Sequence, residues 1–281
     1  MKVTQKLVTG FTITKLKLLA FFSKKKAAQK AFQLFCTPFT KPIKKKPAVF
    51  EKVEPLQFTL NETTIRGYRW NHSQTNKVLI IHGFASASYK FSSYVEAFIH
   101  KRYEVLAFDA PAHGNSEGKT VNAVTYSEMI KKAVELYGPI KSFMAHSFGG
   151  TALALAMENM PHDDTTKIVL IAPATETTAA IDTALGVLKL NDIAVRKEID
   201  NIIFKMSGKE TKWFSIRRAM QNIKAKVLWI HDENDDATPL GDALKVKEDN
   251  HPNIQFAITK GFGHRRIYHD TEIRKLVVDF L

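Results

Sequence analysis

The sequence predicts an α/β fold: a mostly parallel, twisted sheet with helices on both faces, a small helical cap insertion and a basic N-terminal helical arm. Three observations predict it. Apolar runs of strand length alternate with helix-length segments from residue 77 onward; continuous apolar runs mark strands covered on both faces, as in a parallel sheet. One interval between such runs, residues 174–225, is far too long for a single crossover helix. The charge is segregated: residues 1–50 hold 12 Lys and no Asp, Glu or Arg, whereas the other 231 residues hold 29 Lys and Arg against 28 Asp and Glu.

The expected domains are therefore an arm, 1–50, and a body, 51–281, with the cap inserted at about 174–225. In the arm, "KKKAAQKAFQLF" (24–35) sets Ala27, Ala28, Ala31, Phe32, Leu34 and Phe35 on one helical arc and Lys26, Gln29, Lys30 and Gln33 opposite. That is an amphipathic helix of about three turns. Pro38, Pro42 and Pro47 then end helix formation and make "KPIKKKP" a linker. The arm either packs its apolar face on the body or is partly disordered, or it is a weak anchor to a membrane surface or an acidic partner, each Lys near an anionic surface contributing about 1 kcal/mol.

No stretch approaches the ~18 uninterrupted apolar residues of a spanning helix. "LLAFF" (18–22), flanked by lysines, is too short for the apolar region of a signal peptide. The expectation is a protein that is not secreted. Cys36 is the only cysteine, which excludes an intrachain disulfide and fits a reducing, cytoplasmic setting, peripheral to a membrane where the arm engages one. Nucleic-acid binding by the near-neutral body is not expected.

In the body, "VEPLQFTL" and "TTIRGYRW" flank "NE" and read as an antiparallel hairpin. Strands follow at 77–82, 103–109, 140–146, 167–173, 226–231 and 254–259, joined by βαβ crossovers. Ligands of open parallel sheets meet the carboxyl ends of the strands. Those ends carry His82-Gly83-Phe84, "DAPAHGNSEG" from Asp109, "AHSFGG" (145–150), "HDENDDATP" from His231 and "GFGH" (261–264). Turns favour Gly and Asp, but turn chemistry does not call for a serine, then an acid, then a histidine.

Ser147 stands where a strand turns sharply into a helix. Such a nucleophile elbow needs small residues two before and two after the serine, here Ala145 and Gly149, with Gly150 next. A serine needs a base titrating near working pH, and His264, on a glycine-flanked loop after the last strand, can supply it. His146 adjoins the serine in a turn that points neighbouring side chains apart, so it is structural or pocket-lining. His82 and Gly83 are pocket candidates, although His82, His113 and His231 also read as hydrogen-bonded loop histidines. The imidazole needs a carboxylate to orient it. Asp235, where the loop turns toward Pro239, is the first choice, with Asp232 and Asp236 next.

The order Ser147, Asp235, His264 and the five strand-end motifs resemble the α/β-hydrolase superfamily, in its single-cap branch of esterases, thioesterases, C–C hydrolases and serine-peptidase-like members. The resemblance covers residues 53–281 and implies the α/β-hydrolase fold, a Ser147–Asp235–His264 triad, and an oxyanion hole from the backbone N–H groups of Phe84 and Phe148. It implies no cofactor and no metal. It also argues against dehalogenase and epoxide hydrolase chemistry, which places aspartate at the elbow. The expected reaction is acyl transfer from a small-molecule ester or thioester to water. The alternatives are C–C or peptide-bond hydrolysis on the same triad, or a non-catalytic scaffold binding an apolar ligand or partner. In the cap, apolar "AAIDTALGVLKLNDIAV" (179–195) and basic, aromatic "KMSGKETKWFSIRR" (205–218) are either helix interiors or an acyl pocket with a basic rim.

Overall fold

The computed structural model describes residues 3–39 and 46–281. Helices α1 (Val3–Phe22) and α2 (Lys24–Phe35) precede a hairpin of β1 (Glu54–Leu60) and β2 (Thr63–Trp70). Then come β3 (Lys77–Ile81), α3 (Ser92–His100), β4 (Glu104–Phe108), α4 (Ala123–Tyr137), β5 (Ser142–His146), α5 (Phe148–Met157) and β6 (Lys167–Ile171). Two further helices, α6 (Thr177–Val187) and α7 (Ile193–Ser207), lead to α8 (Ile216–Met220). The chain ends with β7 (Lys226–Asp232), α9 (Leu240–Glu248), β8 (Ile254–Thr259), α10 (Gly263–Arg266) and α11 (Thr271–Phe280). The expected linker at 41–47 lies, apart from Lys46 and Pro47, outside the described residues.

Two compact units result. The larger comprises Pro38–Thr175 and Ser215–Leu281, and the smaller joins Met1–Thr37 to Glu176–Phe214.

In the larger unit the eight strands form one sheet in the order β1-β2-β4-β3-β5-β6-β7-β8. β1 and β2, and β2 and β4, run antiparallel; every other pair is parallel. The hairpin closes at Leu60 opposite Thr63, and both turn residues, Asn61 and Glu62, have positive φ (45° and 63°). That backbone twist matches the twist of the strands it joins. Strand side chains alternate between two cores. Leu79, Ile81, Phe143 and Ala145 pack with α4, α5 and α9, while Val78, Ile80 and Met144 pack with α3 and α11 on the opposite face. Both faces are buried, which is why these strands read as unbroken apolar runs. All parallel strands end at one edge of the sheet, so the residues following β3 to β8 gather there.

In the smaller unit α2 packs on α1, α6 and α7. Ala27, Ala28 and Ala31 are buried, and these small side chains allow close helix approach. The Lys24 ammonium pairs with the Asp192 carboxylate. Asp192 also caps α7 by accepting from the Ala194 and Val195 N–H groups, at 2.9 and 3.3 Å. Arg196 on α7 donates to Asp182 on α6 at 2.6 Å.

This organisation differs from the division expected of the sequence. The first 37 residues form one body with the insertion, because the alanine arc of α2 finds its partners some 150 residues later. The insertion also ends at Phe214 and not near 225: Ile216, Ala219 and Met220 of α8 belong to the core of the larger unit.

Gly67 of β2 stands opposite Phe108 of β4, and a Cβ there would fall 2.2 Å from the ring. The ring is buried and cannot swing away, so Gly67→Ala is expected to cost about 1–3 kcal/mol through overpacking. Urea unfolding should show a lower midpoint at unchanged slope.

Candidate active site

Only Ser147 separates β5 from α5, and it turns the chain with φ 55° and ψ −127°. A non-glycine residue in this region is strained unless its surroundings hold it there. The Ser147 N–H donates to the Ile171 carbonyl at 3.0 Å. Its carbonyl accepts from the Gly150 and Ala174 N–H groups at 2.8 and 3.2 Å. The small residues are required by contact. A Cβ on Gly149 would lie 2.5 Å from the His82 carbonyl oxygen, and one on Gly150 would lie 2.8 Å from Pro173. A Cβ on Gly83 would lie 2.9 Å from the Ser147 Cβ. Ala145 is fully buried beneath the turn. The hydroxyl is thereby presented at the N-terminus of α5, where partial positive charge favours a developing anion.

His264 lies on α10, and its ring spans the gap between serine and acid. Nε2 is 2.9 Å from Ser147 Oγ, and Nδ1 is 2.9 Å from Asp235 Oδ2. In the neutral state the serine hydroxyl donates to Nε2 and the Nδ1–H donates to the carboxylate. Asp235 is buried, and its second oxygen accepts from the Ala237 and Thr238 N–H groups at 2.9 and 2.8 Å. Burial alone would raise its pKa, but the His264 and backbone hydrogen bonds outweigh that and hold the carboxyl below its ordinary value.

The neighbouring acids are placed differently. Asp232 accepts from the Gly263 and Phe262 N–H groups at 2.9 and 3.1 Å, from Thr259 Oγ1 at 2.7 Å and from the Asn234 N–H at 3.0 Å. Burial raises this carboxyl, yet these donors prevail and bring it down to about 2. Asp232 thus fixes the loop that carries His264, and Asp236 is exposed.

The other strand-end histidines hold the backbone around this site. His82 is fully buried; its Nδ1–H donates to the Gly83 carbonyl at 2.8 Å and its Nε2 accepts from the Ala110 N–H at 3.0 Å. Both nitrogens are committed, so its expectation as a pocket residue is corrected: it is a strut under the loop. Gly83 does lie against the serine turn. His113 repeats the pattern, donating to the Pro111 carbonyl at 2.9 Å and accepting from the Ala85 N–H at 3.0 Å. It therefore fixes the peptide after Phe84. Phe84 and Phe148 meet edge to face at 5.9 Å, and Phe148 begins α5, where first-turn N–H groups have no partner within the helix. The His146 ring lies beside that of His264, with centroids 4.9 Å apart, and its Nε2–H donates to the His264 carbonyl at 3.1 Å.

One contributor, Thr238, escaped the sequence reading, and His231, expected as a hydrogen-bonded loop histidine, gains a specific partner. Thr238 Oγ1 lies 2.9 Å from Asp235 Oδ2, 3.1 Å from His264 Nδ1 and 3.1 Å from the Ala172 carbonyl. His231 Nε2–H donates to the Thr238 carbonyl at 2.6 Å, bracing that threonine from below. A threonine three residues after a candidate acid was the only available signal.

The buried imidazoles make stability pH-dependent. Burial pushes His82 down to about 4, and His113 and His146 to about 3. The same side chains in the unfolded chain take up protons near pH ~6.5. Between those values the unfolded chain binds more protons, so unfolding free energy should fall on acidification from about pH 6.5 to about pH 4. The slope is at most about 1.4 kcal/mol per pH unit for each histidine. Urea titrations at stepped pH measure it; a flat profile over that window would show that these rings ionise in place. The Asp232 contribution is complete above the ordinary carboxylate range and is lost only as pH falls toward 2.

The family model described as serine aminopeptidase, S33, matches residues 72–211. A Mycoplasma pneumoniae protein assigned by name to the esterases and lipases is 25% identical over 114 residues. That match covers 39% of this chain and 42% of the relative, less than half of its length. An esterase of Pyrococcus furiosus superimposes with a TM-score of 0.65 at 16% identity, over 87% of this chain and 97% of that one. A bacterial membrane phospholipase A does so with a TM-score of 0.63 at 14% identity, over 98% and 97%. The thioesterase domain of the curacin biosynthetic pathway gives 0.58 at 13% identity, over 81% and 100%. With these likenesses added to the parallel sheet and its strand-end motifs, the chain belongs to the α/β-hydrolase superfamily.

Proposed function

We propose that the protein is a serine hydrolase that cleaves a carboxylic ester or thioester through an acyl-enzyme. The observation that carries this reading is the His264 ring, within 2.9 Å of both Ser147 Oγ and Asp235 Oδ2. A serine hydroxyl is a weak nucleophile until an adjacent base takes its proton. Ser147 Oγ attacks the substrate carbonyl carbon while its proton passes to His264 Nε2. Asp235 holds the ring by Nδ1 and stabilises the imidazolium. The carbonyl oxygen, now an anion, is met by the N–H groups of Phe84 and Phe148, preorganised donors that need no side-chain ordering. His264 then gives the proton to the leaving oxygen or sulfur. Water, deprotonated by the same nitrogen, attacks the acyl carbon, the acid departs, and the proton returns to Ser147.

The esterase and lipase names among the similar proteins, and the thioesterase among the structural neighbours, support an acyl substrate. A second reading, peptide-bond hydrolysis on the same three side chains, is favoured by the description of the matching family model.

Purified protein should take a fluorophosphonate label and hydrolyse nitrophenyl esters, and Ser147→Ala should lose the label and lower kcat by about 10⁶. Asp235→Asn should lower kcat by about 10⁴, because the ring is then held in the wrong tautomer. Absence of labelling in the intact protein would leave a scaffold that binds without reacting. An apolar acyl site should discriminate between esters by about 1–3 kcal/mol per methylene. Equal rates along a C2 to C16 series would remove the acyl slot, and turnover of aminoacyl arylamides but not of esters would favour the peptidase reading.

A further inference from the structure

The smaller unit presents an apolar stripe that nothing in it covers. On α1, Leu16 and Ala20 are buried, while Phe11, Leu18 and Phe22 are 73%, 60% and 75% exposed. Spacings of seven and four residues place these three on one stripe of the helix, roughly opposite Leu16 and Ala20. Phe21, 81% exposed, packs edge to face on Phe22. The ion pair of Lys24 with Asp192 brings Ile193, 88% exposed, to the same end of the unit. Isolated exposed apolar residues are ordinary, but a contiguous set of this size marks a contact surface.

The charge around the stripe decides what covers it. Residues 1–37 hold eight Lys and no acidic residue, and residues 176–214 hold six acidic and six basic residues. The unit therefore keeps a surplus of eight positive charges. Lys15 and Lys17 on α1, and Lys25 and Lys26 at the start of α2, are all exposed. A second copy of the chain would set these lysines against their own counterparts, so a self-interface is opposed by charge. An anionic lipid surface offers both complements at once: phosphate headgroups for the lysines, and an interfacial layer that accepts aromatic and aliphatic side chains. Among the described residues no helix is long and apolar enough to cross a membrane, so the contact lies in the plane of the interface.

We propose that the Phe11–Leu18–Phe22 face of α1, with the surrounding lysines, docks this protein on anionic bilayers. This goes beyond the hydrolase reading and does not rest on it. It also moves the membrane face away from α2, whose alanine arc is buried.

The test is co-sedimentation of the full chain with phosphatidylcholine vesicles, with and without about a third of the lipid replaced by phosphatidylglycerol. Binding to the anionic vesicles should be at least about tenfold tighter, and should weaken as salt rises from about 0.1 M to about 1 M. Phe11→Gln, Leu18→Gln and Phe22→Gln combined should reduce it by at least about tenfold with the melting curve unchanged, the replaced side chains being exposed. Should that variant melt early, Lys15→Gln, Lys17→Gln and Lys25→Gln combined serve instead, with a loss of roughly a hundredfold expected. Equal binding to both vesicle types, or glutamine variants that bind like the parent, would overturn the proposal. So would sedimentation equilibrium showing a dimer that the α1 variant abolishes, because the stripe would then belong to a second copy. Ester hydrolysis in free solution is read alongside, so that loss of docking and loss of activity are scored separately.

Discussion

The backbone of Ser147 is the constraint around which the larger unit is arranged. A serine at φ 55° is strained, and it persists because three backbone hydrogen bonds and three glycines leave the chain no other path. The N–H of the turn is anchored on the end of β6, so the elbow depends on the β5–β6 register from Ser142–Lys167 to His146–Ile171. Gly83 and Gly149 then let the loop after β3 and the start of α5 approach to van der Waals distance. The placement of the hydroxyl beside His264 is a consequence of sheet register and close backbone packing.

Around that turn, buried carboxylates and neutral imidazoles tie down the loops. Asp232 commits both oxygens to donors, most of them backbone N–H groups, and fixes the His264 loop. Asp109 does the same on the other side, accepting from the Ser88 and Asn115 N–H groups at 2.9 Å each and joining the loops after β3 and β4. Asp235 differs in one respect. It gives one oxygen to the backbone and keeps the other for side chains, which is what orienting an imidazole requires. The histidines follow a parallel division. His82 and His113 each use one nitrogen as donor and the other as acceptor toward backbone, whereas His264 has both nitrogens turned toward side chains.

These distinctions mark the limit of what the residues reveal by themselves. All eight strands were legible, because burial on two faces leaves unbroken apolar runs and because "NE" between alternating segments specifies a hairpin. The five strand-end motifs were legible for the same reason, since a parallel sheet must deliver them to one edge. The choice among Asp232, Asp235 and Asp236 rested on loop direction alone, because hydrogen-bond satisfaction depends on where the chain folds back. Thr238 was invisible, and His231 was legible only as a hydrogen-bonded loop histidine without its partner, as each acts through a carbonyl or carboxylate brought near by the turn. His82, at the end of an apolar strand, looks the same in sequence whether its ring faces a ligand or, as here, two backbone groups.

The pairing of the first helices with the insertion was the least legible feature, and its physical basis is instructive. Alanine side chains offer little apolar area, so the arc on α2 gives no sign of how closely another helix can approach it. Their small size is what allows the close packing that α7 exploits. Conversely α1 reads as unremarkable, with lysines interrupting its apolar residues, yet it holds two apolar stripes: Leu16 and Ala20 turned inward, Phe11, Leu18 and Phe22 turned out. A helix that is apolar on two sides has a second contact to make. Every residue of the serine–histidine–acid arrangement and its supporting loops belongs to the larger unit. The smaller unit carries none of those residues, and its surplus charge and outward aromatic side chains are the features on which the docking proposal rests.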